Sequence, residues 1–156
     1  MVYLDPTLNI ITRTLRSIGK RLVREFNEIE KLQTSIKGTS DFSKETFTKL
    51  KKNIQYSLEE IKPDYKIFFS DSKTNNQDFK NFWFIQPLNG LTNFSHSIPH
   101  FCISIALIEN SIINSAAVYD PIKDEMFYAY KGKGSYLNDS RIRVSSRKKL
   151  NDCILC

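Results

Sequence analysis

The chain has 156 residues, of which 40% are hydrophobic and 26% charged, the composition of one globular domain with an apolar core. No stretch reaches the roughly 18 consecutive apolar residues of a membrane span, and the N-terminus lacks the pattern of a secretory signal. Three cysteines are too few for a disulfide framework. We therefore expect a cytoplasmic protein that makes no membrane contact.

The N-terminal third of the chain predicts two helices. Asp5 is typical of an N-cap and Pro6 of a first helical position. We expect residues 38–41 to separate the first helix from a second one, which begins near Ser43 and ends before Pro63. Apolar residues at steps of three and four predict the buried faces: Leu8, Ile11, Leu15, Ile18, Leu22, Phe26 and Ile29 in the first helix, and Phe47, Leu50, Ile54, Leu58 and Ile61 in the second.

Beyond Pro63, short runs of β-branched and aromatic residues predict five strands, with a polar loop at 70–80 after the first. The short links between the later strands predict an antiparallel meander packed on the two helices. The fold class is therefore α+β, one domain over residues 1–156 with two N-terminal helices on a mostly antiparallel sheet. The predicted strands are 66–69, 82–86, 101–108, 112–119 and 126–130.

Residues 131–149 form a basic strip, in which seven Lys or Arg residues stand against one Asp and account for the whole net charge of +6. Such a surface suggests an acidic partner, a protein or nucleic-acid-associated machinery. The candidate contacts are Arg141, Arg143, Lys148 and Lys149. The plainer interpretation, which the pattern favours, is a solvated edge hairpin whose lysines discourage pairing with other strands.

Two further spacings are weaker signals for a site. Cys153 and Cys156 have CxxC spacing, but no second pair completes a zinc site, so an apolar strand over 153–156 is the favoured interpretation. His96 and His100 lie four residues apart, but Pro99 interrupts the segment. We expect no metal at either place.

The stretch 83–94, WFIQPLNGLTNF, predicts a strand, a tight turn and a short helix. Such a junction is a common place for chemistry, yet this one contains no ionisable side chain. The backbone N–H groups of Gly90 and Leu91, at the start of the short helix, are candidates for binding a phosphate or another anion.

The order of these motifs resembles the Mg-dependent inositol monophosphatase family, most closely its bacterial extragenic-suppressor branch. The resemblance covers nearly the whole chain and implies a truncated form of the layered αβαβα sugar-phosphatase fold, without the family's second α/β half. The matching motifs are QPLNGLTNF at 86–94, IPHFCISIA at 98–106, VYDP at 118–121, DEMF at 124–127, GKGSYLN at 132–138 and RIRVS at 141–145.

The family's active-site turn begins Asp-Pro-x-Asp-Gly-Thr-Thr-Asn, and both Asp residues hold the Mg²⁺ ions that hydrolyse a phosphate monoester. In this chain the two metal-binding positions are Gln86 and Asn89, which have no charge. The threonine that assists the attacking water corresponds to Leu91, which has no proton to relay. The resemblance therefore implies a degenerate site.

The upstream ligand positions are degenerate as well. An earlier family Asp corresponds to Phe47, and the family's Glu pair falls on Ser70 and Asp71, so the Glu that helps activate water is Ser70. A slip of one residue in the loop would bring Asp71 into the ligand position, which makes it a weak metal candidate. We expect one carboxylate to bind metal weakly and to support very little activity.

Three functional hypotheses follow from the resemblance. The leading one is a catalytically inactive, truncated relative that needs no cofactor and keeps a role in binding a protein or RNA machinery. The first alternative is a Mg²⁺-dependent phosphatase of inositol phosphate or a related sugar phosphate, and the second is a remnant without a selected role. Because the family's first sheet packs against its second half, we also expect self-association through the exposed interface.

Overall fold

The computed structural model describes residues 5–32, 36–72 and 79–154. Neither long helix in these ranges combines the length and the apolarity that a membrane span requires. The elements, in chain order, are α1 Pro6–Leu32, α2 Ile36–Glu59, β1 Lys66–Phe69, β2 Phe82–Asn89, α3 Leu91–Ser95, β3 Cys102–Glu109, β4 Ile112–Asp120, β5 Glu125–Tyr130, β6 Gly134–Leu137, β7 Ser140–Ile142 and a 3-10 turn, Leu150–Asp152.

Helix α1 follows the sequence prediction closely. Thr7 N donates a hydrogen bond to Asp5 Oδ1 at 2.9 Å, which satisfies one of the free N–H groups at the start of the helix. All seven residues of the predicted apolar stripe are buried, none of them more than 5% exposed. The stripe therefore forms the contact of α1 with the rest of the fold.

The predicted start of α2 is wrong. The helix begins at Ile36 rather than near Ser43, so residues 38–41 are helical. The hydroxyl of Ser43 donates to Thr39 O at 2.7 Å inside the helix, and both side chains are buried. Because the Ser43 hydroxyl is hydrogen-bonded to a helix carbonyl, a polar residue can lie on the buried face. The end of α2 before Pro63 is confirmed.

The strands form one seven-stranded sheet in chain order, from β1 to β7. Strands β1 and β2 are parallel, and every later neighbouring pair is antiparallel. Two helices packed on a mixed, mostly antiparallel sheet confirm the α+β fold class. The five predicted strands are present, and β6 and β7 form the edge hairpin that the basic strip favoured.

The strand predicted over 153–156 is wrong in its described part. Cys153 follows the 3-10 turn in an extended conformation, neither Cys153 nor Ile154 belongs to a strand, and both are exposed. The last strand of the sheet, β7, ends at Ile142, and residues 143–149 are not part of a strand. Residues 155 and 156, and positions 73–78 of the predicted polar loop, lie outside the described residues.

The two faces of the sheet differ in how they are covered. On the inner face, Trp83, Ile85, Ile103, Ile105 and Met126 are buried in the core that the sheet forms with α1 and α2. The residues between them point to the opposite side. On this outer face Phe84 is 39% exposed, Val118 38% and Phe127 38%. The sheet is therefore packed on one side and presents apolar side chains on the other.

Candidate functional site

We call residues 86–95 the corner, because the chain leaves β2 here and turns into α3. The pairing of β2 with β3 shifts register between Gln86 and Asn89, so the strand is irregular where it ends. Gly90 then adopts a left-handed conformation with φ +92°, and an added Cβ would lie 2.9 Å from His100 O. Only glycine satisfies both the dihedral angle and the close approach.

The corner is anchored in the core by Phe94 of α3, which is fully buried. Its ring centroid lies 5.7 Å from that of Phe26 in α1 and 5.2 Å from that of Phe101. The side chain of Asn93 adds a hydrogen bond from Nδ2 to His100 O at 2.7 Å. These contacts hold the turn in place through apolar packing and a side-chain amide, with no charged group.

The two predicted ligand positions on β2 carry amides that bond within the protein. Gln86 Nε2 donates to Leu88 O at 3.4 Å. Asn89 lies opposite Cys102 in the sheet and hydrogen-bonds to its sulfur. Burial raises the pKa of the Cys102 thiol, and the hydrogen bond from Asn89 opposes that shift. The thiol therefore stays protonated at neutral pH, and neither amide brings negative charge to the corner.

The upstream positions lie on α2 and at the end of β1. Phe47 is partly buried against the core, and Ser70 is tied to β2 by its backbone, with Ser70 N donating to Ile85 O at 2.9 Å. Asp71 is the carboxylate among the predicted ligand positions, and its Oδ2 accepts from Lys51 Nζ at 2.6 Å. The structure thus pairs the weak metal candidate with a lysine.

Sequence reasoning missed Lys51. Its Nζ lies 5.2 Å from the ring centroid of Phe47 and 4.9 Å from that of Phe69, in addition to its ion pair with Asp71. The one signal in the sequence was the spacing from Phe47 to Lys51, because residues four apart lie on the same face of a helix. The contacts to Phe69 and Asp71 depend on how α2 packs beside β1.

The donors at these positions do not suit Mg²⁺. This ion prefers oxygen ligands in octahedral geometry and usually binds at least one or two ionised carboxylates. The positions offer two amides, one hydroxyl, one carboxylate bound to an ammonium, and two side chains without oxygen. Within residues 5–32, 36–72 and 79–154, no three His, Cys, Asp or Glu side chains are placed to hold a metal ion.

The other predicted site residues near the corner are the two histidines and the backbone N–H groups of Gly90 and Leu91. His96 Nδ1 donates to Thr92 O at 2.8 Å, and both His96 and His100 are exposed. Helix α3 has five residues, and its first backbone bond runs from Phe94 N to Gly90 O at 2.9 Å. Anion binding by the N–H groups of Gly90 and Leu91 stays a prediction.

The basic strip lies on the last hairpin and the segment that follows it. Arg141 is on β7 opposite Tyr136, whereas Arg143, Lys148 and Lys149 lie beyond the last strand, and all four are exposed. Among the ion pairs between described residues, none involves a side chain of the strip. A concave surface of about 600 Å³ is lined by Ser146, Arg147, Lys148, Lys149 and Asp152.

Two helices on this sheet, with a tight turn and a short helix after β2, are the architecture of the sugar-phosphatase class. The crystal structure of extragenic suppressor protein suhB from Bartonella henselae matches with a TM-score of 0.81 and 32% identity, over 96% of this chain and 58% of that chain. The Thermotoga maritima IMPase structure matches with a TM-score of 0.74 and 25% identity, over 91% of this chain and 55% of that one.

The chain belongs to the inositol monophosphatase family, whose model matches residues 3–156. It is 37% identical to an inositol-1-monophosphatase from Rhizobium meliloti, over 95% of this chain and 56% of that protein. It is 35% identical to Nus factor SuhB from Xylella fastidiosa, over 96% of this chain and 54% of that protein. These matches support the SuhB-like branch, and the chain spans just over half the length of these relatives.

Proposed function

We propose that this chain is a non-catalytic member of the family that binds a protein of the transcription machinery. The observation that carries the first half of the proposal is the ion pair between Lys51 and Asp71, with Nζ and Oδ2 2.6 Å apart. It engages the carboxylate that sequence comparison offered as a metal ligand. The other candidate positions have no charge to offer.

The chemistry of phosphate monoester hydrolysis explains why these replacements matter. In metal-dependent hydrolysis an ion activates water and stabilises the leaving oxygen, and carboxylates hold that ion. Asn89 has the shape of Asp without its charge, Gln86 is uncharged and one methylene longer than Asp, and Leu91 has no proton to relay. Because residues that act as a catalytic unit fail together, we expect these changes to abolish turnover.

The second half of the proposal concerns the basic strip. Its Lys and Arg side chains are exposed and are not used in the ion pairs of the described residues, so their charge is available to a partner. Exposed charge of one sign speeds the approach of an oppositely charged surface and selects against like-charged ones. A relative of this chain carries the name Nus factor SuhB, and on that basis we propose a partner in the transcription machinery.

The binding test is capture of purified bacterial RNA polymerase with its Nus factors on the immobilised chain. We expect a variant with Glu at Arg141, Arg143, Lys148 and Lys149 to bind at least roughly tenfold more weakly than wild type. The control has Glu at Lys20, Arg21, Lys52 and Lys123, which are exposed outside the strip and give the same change in net charge. Equal loss in both variants, or in neither, would contradict a specific role for the strip.

We also propose that the chain self-associates through the outer face of the sheet, against a second copy. Phe84, Val118 and Phe127 are exposed there, and exposed apolar surface is typical of an interface. We expect Phe127→Lys to shift sedimentation toward the monomer. Val144→Lys is the matched control, because Val144 is 96% exposed and lies off the sheet. An unchanged association state in Phe127→Lys would exclude this face.

The alternative function is a metal-dependent phosphatase, which is favoured by the name of the Rhizobium meliloti relative. Release of phosphate from inositol phosphate in the presence of Mg²⁺ separates the two hypotheses, with that relative as the positive control. We expect this chain to release phosphate at the rate of buffer alone. Turnover that disappears on chelation of Mg²⁺ would select the phosphatase, and the absence of cooperative unfolding would favour the remnant.

A further inference from the structure

Three side chains from three segments surround the ammonium group of Lys51. Lys51 and Phe47 lie on α2, Phe69 ends β1, and Asp71 follows in the loop after it. Lys51 Nζ is 2.6 Å from Asp71 Oδ2, 5.2 Å from the Phe47 centroid and 4.9 Å from the Phe69 centroid. The side chain of Lys51 is 26% exposed and that of Asp71 48%.

This environment suits an ammonium group better than a metal ion. The face of an aromatic ring attracts a cation electrostatically, and the two rings here lie within the distance at which that attraction acts. A ring has no oxygen to offer Mg²⁺, which must exchange its water ligands for hard donors. A lysine stem can also pack its methylene groups against apolar surface, while a bare ion gains nothing from such contacts.

We propose that the Lys51 ammonium is the resident cation of this site and takes the place that a metal ion holds in the family. It pairs with Asp71 and so joins α2 to the loop after β1 without a metal ion. The inference rests on the proposed function, since it concerns the same ligand positions. It goes further by naming the group that replaces the metal and the contacts that hold it.

The test compares thermal unfolding of Lys51 variants with matched variants of Lys52, its exposed neighbour on α2. Lys51→Met keeps the apolar stem and removes the charge, and we expect it to lower Tm by about 2–4 °C. Lys52→Met changes Tm by less than about 1 °C. Equal melting of the two methionine variants would overturn the proposal.

A second pair of variants asks whether a metal can replace the ammonium. Lys51→Glu places a second carboxylate beside Asp71, so we expect a larger fall in Tm and partial recovery with MgCl₂ compared with NaCl at equal ionic strength. Lys52→Glu and wild type should not respond to the divalent ion. Failure of Mg²⁺ to recover Lys51→Glu would refute the interchange of cations.

Failure of the inference and failure of the proposed function give different results. If wild type gains stability from Mg²⁺ over NaCl, the chain binds metal despite Lys51, and the proposed non-catalytic function and this inference fail together. If Mg²⁺ does not stabilise wild type but Lys51→Met melts like Lys52→Met, the predicted ligand positions bind no metal, and Lys51 is not the cation that replaces it. That second result would overturn the inference and leave the proposed function intact.

Discussion

The corner and the basic strip are opposites in how their polar groups are used. At the corner, the amides of Gln86, Asn89 and Asn93 bond to neighbouring protein groups, and Asp71, in the loop after β1, pairs with Lys51. In the strip, exposed arginines and lysines surround a concave surface, and the described ion pairs do not involve them. The polar groups of the first region are hydrogen-bonded within the protein, whereas the charged groups of the second are exposed to solvent.

This contrast indicates where function is to be sought. A site that binds a ligand keeps polar groups unpaired until the ligand arrives, because the bonds it makes internally must be broken first. By that criterion we propose the strip, rather than the corner, as the surface that binds a partner. The contrast predicts that substitutions at the corner lower stability and that substitutions in the strip lower binding.

The largest effect is expected for Phe94→Ala at the corner. Removal of this fully buried ring leaves a cavity between Phe26 and Phe101, which costs about 3–5 kcal/mol of unfolding free energy. Urea denaturation measures the loss. Val144→Ala in the strip is the comparison, and we expect a change below about 0.5 kcal/mol. If Phe94→Ala lost as little unfolding free energy as Val144→Ala, the corner would not be a structural element of the kind described.

Two glycines with positive φ test whether the corner is more tightly packed than the strip. Gly90 at the corner has φ +92° with His100 O 2.9 Å from an added Cβ, while Gly132 in the strip has φ +77° with nothing within 4 Å. Both alanine variants bear the dihedral strain of about 1–2 kcal/mol, but only Gly90→Ala adds a steric clash. We expect Gly90→Ala to lose more unfolding free energy, by about 1 kcal/mol or more. Equal losses would mean that the corner is no more tightly packed than the strip.

A smaller effect is expected from Glu109, which pairs with Lys62 as Asp71 pairs with Lys51. The Lys62 ammonium, 2.6 Å away, lowers the pKa of Glu109 by hydrogen bonding, and Asn114 and Tyr65 add to that shift against the opposing effect of burial. The resulting stability is fully present above the ordinary glutamate pKa near 4.3 and is lost as pH falls through the lowered pKa.

We therefore expect wild type to be more stable than Glu109→Gln by about 0.5–1 kcal/mol at neutral pH. That difference should shrink when denaturation is repeated at pH values well below 4.3. Lys62→Met is the companion variant and should remove the same pH dependence. A difference between wild type and Glu109→Gln that stays constant with pH would show that the pair does not control it.

The smallest effect on stability is expected in the strip itself. We expect the variant with Glu at Arg141, Arg143, Lys148 and Lys149 to keep its unfolding free energy within about 1 kcal/mol, because all four side chains are exposed. The same preparation is used for the capture experiment, so that any loss of binding is measured with a protein known to be folded. Unfolding of this variant would assign the strip a structural role.

The sequence predicted those elements whose residues alternate between core and solvent. The stripe of α1 and the five main strands follow from such periodicity, because burial selects apolar residues at every contact position. The start of α2 escaped prediction because Thr39, Ser43 and Thr46 are buried there as polar residues, with Ser43 bonded inside the helix. No hydrophobic pattern marks such a turn.

The candidate site was predictable in part for a different reason. The motif around Gln86 and Asn89 is local, so its likeness to the family is visible in the sequence. The contacts of Lys51 with Phe69 and Asp71 join residues about 20 positions apart, and they arise from the packing of α2 beside β1. Because a side chain can reach many partners, spacing alone could not have identified this one.

Calorimetric titration of Mg²⁺ into the purified wild-type chain asks whether the corner binds a metal ion. The Rhizobium meliloti relative, titrated in the same buffer, serves as the comparison protein. For this chain we expect only heats of dilution, with and without inositol phosphate. A saturable heat, removed by Gln86→Leu or Asn89→Leu, would contradict this expectation and restore the corner as a metal site.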